Sequence, residues 1–160
     1  MTSTAKDTAL WFLNTRVQIV VPAGSGADRM SVIRHWAPFG DSPPMHIHET
    51  EDEIFHVLEG KVRFSVDGEM IEVAAGQTVM APKGIPHSYV VESEGGARWL
   101  TVTKPGDFEG LVRAASRPAT AQGLPEPGHP TPEMKRHLAE LCEKNNIRLV
   151  GEPLKPRQAA

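Results

Sequence analysis

The sequence predicts an all-β sandwich or barrel that gives way to helical and irregular segments after residue 105. Three observations carry this. Glycines fall at 60, 68, 76 and 84, a strict spacing of eight, with short segments rich in Val, Phe and Ile between them. Short strands with turn signals about every 8–12 residues are the mark of an all-β sandwich or barrel. Residues 61–66 alternate cleanly, with Val62, Phe64 and Val66 on one face and Lys61, Arg63 and Ser65 on the other. Asp67-Gly68 then supplies a two-residue hairpin turn, where positive φ is needed. The segments between the glycines share no motif, so they read as hairpins and not as a solenoid.

Taken in order, Val17, Ile19 and Val21 alternate with Arg16 and Gln18, which predicts a strand. Residues 30–36 predict another, and 98–103 the last strand of the barrel. Residues 107–115 predict a short helix, with Phe108, Leu111, Val112 and Ala115 on one side. Residues 116–130 hold four prolines and two glycines and are expected to form no regular element. Thr131-Pro132 reads as an N-cap followed by proline at the first helical position. Met134, Leu138, Leu141 and Cys142 follow at helical spacing, and Asn145-Asn146 ends the run. The expected organisation is a barrel domain over 1–115, a proline-rich linker over 116–130, and a C-terminal amphipathic helix with a loose tail over 131–160, packed on the barrel.

Bulk properties exclude several classes. A chain of 160 residues has room for one real core. Seventeen Lys and Arg against 20 Asp and Glu leave a net charge of -3, and no basic stripe marks a nucleic-acid surface. No apolar run approaches the roughly 20 residues that cross a bilayer. The first ten residues do not read as a signal peptide. Cys142 is the only cysteine, so no internal disulfide forms, which favours a cytoplasmic setting.

Residues 40–91 carry the chemistry. One segment runs Gly40, His46-Ile47-His48, Glu53, Gly60; a second runs Gly76, Pro82-Lys83-Gly84, His87. Three imidazoles and one carboxylate held between glycine turns are a good ligand set for a divalent transition metal. Within a strand His46 and His48 point the same way. Glu53 has the wrong parity for an unbroken strand, so a bulge or loop over 49–52 has to reset the phase.

Both segments match the two signature motifs of the cupin family, and the chain resembles a small single-domain cupin over about residues 10–115. The resemblance implies a double-stranded β-helix, a jelly-roll barrel. It implies His46, His48, Glu53 and His87 as ligands of iron, manganese, nickel or zinc, with Glu53 also the candidate catalytic residue. Four ligands on a six-coordinate metal leave two positions open, as a catalytic site needs. One departure is present: the Asn that usually ends the second motif is Val91 here.

The other histidines read as structural or solvated. His56 is three residues from Glu53 and faces the opposite way; His35, His129 and His137 have no motif around them. The acidic run Glu49, Glu51, Asp52 reads as a solvated loop. Phe55, Val57, Tyr89 and Val91 share parity with the ligands, with Val62, Phe64 and Met80 as neighbours. These side chains either line a substrate pocket or fill the barrel. The apolar Trp11-Phe12-Leu13, with Ile54 and Leu58 facing outward, predicts a homodimer. Three functions follow. The first is a metal-dependent dioxygenase similar to the quercetin-dioxygenase-like cupins. The second is a non-catalytic small-molecule-binding cupin. The third is a metal-dependent sugar isomerase or epimerase, for which the motifs offer few phosphate-binding cations.

Overall fold

Asp67 and Gly68 both adopt positive φ, 52° and 80°. Their turn folds β6 (Lys61–Val66) back onto β7 (Glu69–Ala74), with Val66 opposite Glu69. Gly60 is required for a second reason. Its φ is 81°, and a Cβ there would stand 2.6 Å from the Gly96 carbonyl oxygen. The structure is a computed structural model, which describes residues 8–157.

The remaining elements are β1 (Leu10–Phe12), β2 (Thr15–Val21), β3 (Ser31–Ala37), β4 (Met45–His48), β5 (Asp52–Glu59), β8 (Thr78–Ala81), β9 (His87–Val91), β10 (Ala97–Lys104), α1 (Asp107–Ala115), β11 (Ser116–Pro118), α2 (Pro132–Lys144) and β12 (Ile147–Gly151). They form two antiparallel sheets, ordered β11-β1-β2-β3-β10-β5-β8 and β12-β4-β9-β6-β7. This is a jelly-roll barrel. Its main core lies between the sheets, where Phe55, Val57, Val62, Phe64, Val91 and Trp99 are buried. A second core joins Phe12 and Ile33 of the barrel to Leu111 and Val112 of α1, Cys142 of α2 and Ile147 of β12.

The helices stand at 107–115 and 132–144, with the Thr131 side chain accepting a hydrogen bond from the Met134 N–H. The C-terminal third is more ordered than its composition predicts. Ser116–Pro118 pairs with β1 in spite of the surrounding prolines. Ile147–Gly151 pairs with β4 and so extends the smaller sheet beyond the expected last strand, 98–103. The expected loose tail is tied down as far as residue 157: Leu154 N–H donates to Ser42 Oγ (2.9 Å), Arg63 to the Lys155 carbonyl (2.7 Å), and Arg157 N–H to Glu92 (3.0 Å). Residues 158–160, like the N-terminal stretch weighed for a signal peptide up to residue 7, lie outside the described residues.

Trp11-Phe12-Leu13 is used within the chain. Phe12 joins the second core, and Trp11 Nε1 donates to the Gly123 carbonyl at 3.1 Å; Leu13 stays 43% exposed. Ile54 and Leu58 do face outward. So does Met80, 46% exposed and directly opposite Ile54 in the β5–β8 ladder. This corrects the expectation that Met80 borders the pocket: the inward positions of β8 are Val79 and Ala81.

Candidate metal centre

The site is assembled from both sheets. His46 and His48 stand on β4 and His87 on the neighbouring β9, where His46 and His87 are paired. Glu53 comes from β5 in the opposite sheet. The parity mismatch is resolved by a loop at 49–51 that carries the chain from one sheet to the other. One donor atom from each of His46, His48, Glu53 and His87 lies within 4.8 Å of the others. Glu53 Oε2 is 2.7 Å from His87 Nε2 and 3.0 Å from His48 Nε2.

The far side of each ring decides what the near side can do. His46 Nδ1 is 2.7 Å from the Pro44 carbonyl and His87 Nδ1 is 3.0 Å from the Ile85 carbonyl. A carbonyl only accepts, so both Nδ1 atoms carry a proton, which leaves Nε2 as the atom each ring can offer to a ligand. His48 Nδ1 is held the same way, 3.0 Å from Glu51 Oε1. Three imidazole nitrogens and a carboxylate therefore converge on one point. That donor set suits a divalent cation, and fixing the outer nitrogens is how metal-binding histidines are oriented.

The four groups are electrostatically coupled. Burial would raise the Glu53 carboxyl, but the surrounding His48, His87 and His46 hold it down to about 2. Burial, together with His87 and His48, pushes the His46 imidazole down to about 3. Burial opposes charge on His48 as well, yet Glu53 and Glu51 outweigh it and raise that imidazole.

Glu51 corrects the reading of the acidic run as a solvated loop. It is 1% exposed and accepts the backbone N–H groups of Asp107 (2.6 Å) and Phe108 (2.9 Å). It thus caps α1, whose own N-cap, Gly106, has no side chain to do so. The run's other members are also engaged: Glu49 pairs with Arg148 of β12 at 2.7 Å, and Asp52 accepts from the Lys83 N–H at 2.9 Å. No local signal marks Glu51 as buried, because the α1 backbone groups it caps arrive 56 and 57 residues later.

A cavity of about 80 Å³ lies against the cluster. His46, His48 and Glu53 face it. Phe55 and Tyr89 line it, whereas Val57, Val62, Phe64 and Val91 are packed into the main core. At Val91, where the family pattern has Asn, an apolar side chain fills that core. The outer wall was not foreseen: Phe108 and Leu111 come from α1, Leu138 and Cys142 from α2, Ile147 and Leu149 from β12. His35 is there too, buried and stacked on Trp99, so of the two expectations for it, structural or solvated, only the first remains. His56 turns away and meets Thr78 Oγ1 at 2.8 Å, while His129 and His137 are exposed.

Known proteins fit this description. The profile of the cupin domain matches residues 32–103. Quercetin 2,3-dioxygenase of Bacillus subtilis (strain 168) is 33% identical over 79 residues, which are 49% of this chain and 23% of that protein. The chain spans less than half the length of the curated relatives it matches. Among solved structures, a protein described as a predicted oxalate decarboxylase of Thermotoga maritima superposes with a TM-score of 0.59 at 20% identity, covering 65% of this chain and 97% of that one. The polyketide cyclase RemF of Streptomyces resistomycificus gives 0.53 at 27% identity, covering 66% and 78%. α2 and β12, which wall the cavity, lie beyond the matched profile.

Proposed function

The chain belongs to the cupin superfamily, and on that footing we propose that it is a metal-dependent dioxygenase acting on a small, largely apolar organic molecule. The observation that carries this reading is the convergence of His46, His48, Glu53 and His87 beside a cavity walled by Phe12, Phe55, Trp99 and Phe108. Iron, manganese or nickel, when bound, supplies redox chemistry toward oxygen and a Lewis acid for a substrate oxygen; zinc would supply the second only.

The chain's own groups do the rest. His46, His48 and His87 would hold the ion through Nε2, each ring fixed from behind by Pro44, Glu51 or Ile85. Glu53 stays ionised across the working pH range, the form that ligates. In the catalytic role assigned to it, its carboxylate accepts a hydrogen bond from a substrate hydroxyl and orients it. Phe108, Leu138, Ile147 and Leu149 exclude water from the reacting centre. Among the described residues no lysine or arginine lines the cavity, which counts against phosphorylated sugars and so against an isomerase.

The test is oxygen consumption by iron-, manganese- and nickel-loaded protein over a panel of flavonols and diketones. Uptake with at least one pair is expected. Binding across the panel without uptake on any metal would replace this reading with that of a non-catalytic binding cupin.

A further inference from the structure

His35 is the polar group that the metal centre leaves unused. It projects inward from β3, on the sheet opposite β4 and β9, and lines the same cavity. It is 4% exposed, and neither ring nitrogen has a hydrogen-bond partner. A buried imidazole normally finds one. Its plane is fixed: Trp99 stacks on it at 5.1 Å and 3°, and Phe108 at 5.8 Å and 16°. Phe108 is also 6.1 Å from the His48 ring, so His35 and the metal cluster flank one aromatic side chain. Burial pushes the His35 imidazole down to about 4. It is therefore neutral near pH 7, with one nitrogen to donate and one to accept.

We propose that His35 is a second anchoring point for the bound molecule: a flat, hydroxylated aromatic or enol whose one end reaches the metal cluster while a hydroxyl or carbonyl elsewhere on it hydrogen-bonds to the His35 ring edge. Both nitrogens are buried and unpaired, and Trp99 and Phe108 set the ring plane, so a bonding partner lies in that plane, which favours a flat molecule. His35 is a positioning residue and touches none of the reacting atoms. The inference rests on the reading of this cavity as the substrate site. It does not require that the reaction be an oxygenation.

The probe is a flavonol with one further hydroxyl on the phenyl ring, remote from its adjacent hydroxyl and carbonyl pair, titrated into manganese-loaded protein. His35→Leu should bind it about 10-fold more weakly than wild type, the loss of one good hydrogen bond. Its metal content should be unchanged and its melting temperature equal or higher, because an unpaired buried polar group has been removed. His35→Gln, which can still hydrogen-bond, should recover most of the affinity. Equal flavonol affinity in wild type and His35→Leu overturns the proposal. So does a wild type that holds manganese and binds no flavonol, and so does loss of metal in His35→Leu. Absence of oxygen uptake with His35-dependent binding intact would remove the dioxygenase reading alone; uptake that is indifferent to His35 would remove this one alone.

Discussion

Replacing Glu51 with Ala tests the coupling between the metal centre and the helix beside it. The substitution removes an acceptor shared by three donors: the Asp107 and Phe108 N–H groups and His48 Nδ1. Loss of a helix cap costs about 1 kcal/mol. A buried His48 N–H without a partner costs about 1–3 kcal/mol more. A total near 3 kcal/mol lowers the melting temperature of a domain this size by roughly 6–12 °C. The metal loses the group that orients His48, which costs roughly 10- to 100-fold in affinity. Thermal unfolding of the metal-free protein gives the first quantity, and competition with a chelator the second. Glu51→Gln keeps one acceptor oxygen and should fall between wild type and Ala in both. If Glu51→Ala melted within a degree of wild type and bound metal as tightly, Glu51 would neither cap α1 nor seat His48.

Alanine at His46, His48, Glu53 or His87 should empty the site as measured by metal analysis, whereas His56→Ala should leave it full; the reverse outcome would refute the assigned ligand set. Burial pushes the Asp41 carboxyl up to about 6, against the hydrogen bond it accepts from Tyr89. A group raised in the folded state contributes its full stability below its unfolded value near pH 4 and loses it as pH rises through about 6. Asp41 is partly exposed, so of the about 3 kcal/mol implied, about 1–2 survive screening. Asp41→Asn should gain that much at pH 8 and nothing at pH 4 in thermal melts, and an equal gain at both would exclude the ionisation argument. The outward Ile54, Leu58 and Met80 support a homodimer; light scattering should give about twice 17.5 kDa, and a folded monomer at micromolar concentration would sink it.

What was legible in the sequence was local. The hairpin at Asp67-Gly68, the cap at Thr131 and the outward turn of His56 follow from positive φ, side-chain chemistry and strand parity, each decided within a few residues. Met80 faces out because its neighbours Val79 and Ala81 occupy the inward positions of β8, a parity legible in the sequence. Ile147 and Leu149 alternate as a strand does, so β12 could have been found, though not its pairing with His48 and His46. Glu51 and His35 could not. Their roles are set by Phe108 and Trp99, which only the completed fold brings beside them.

β4 has one register pair with β9, His46 opposite His87, and four with β12. A polypeptide emerges from the ribosome N-terminus first, so all four candidate ligands leave the tunnel well before Ile147–Gly151. Until that last segment arrives, the strand bearing two imidazoles lacks its main partner, and α2 has not yet closed the cavity. The strand that carries His46 and His48 is therefore completed by the last strand of the described residues to be made.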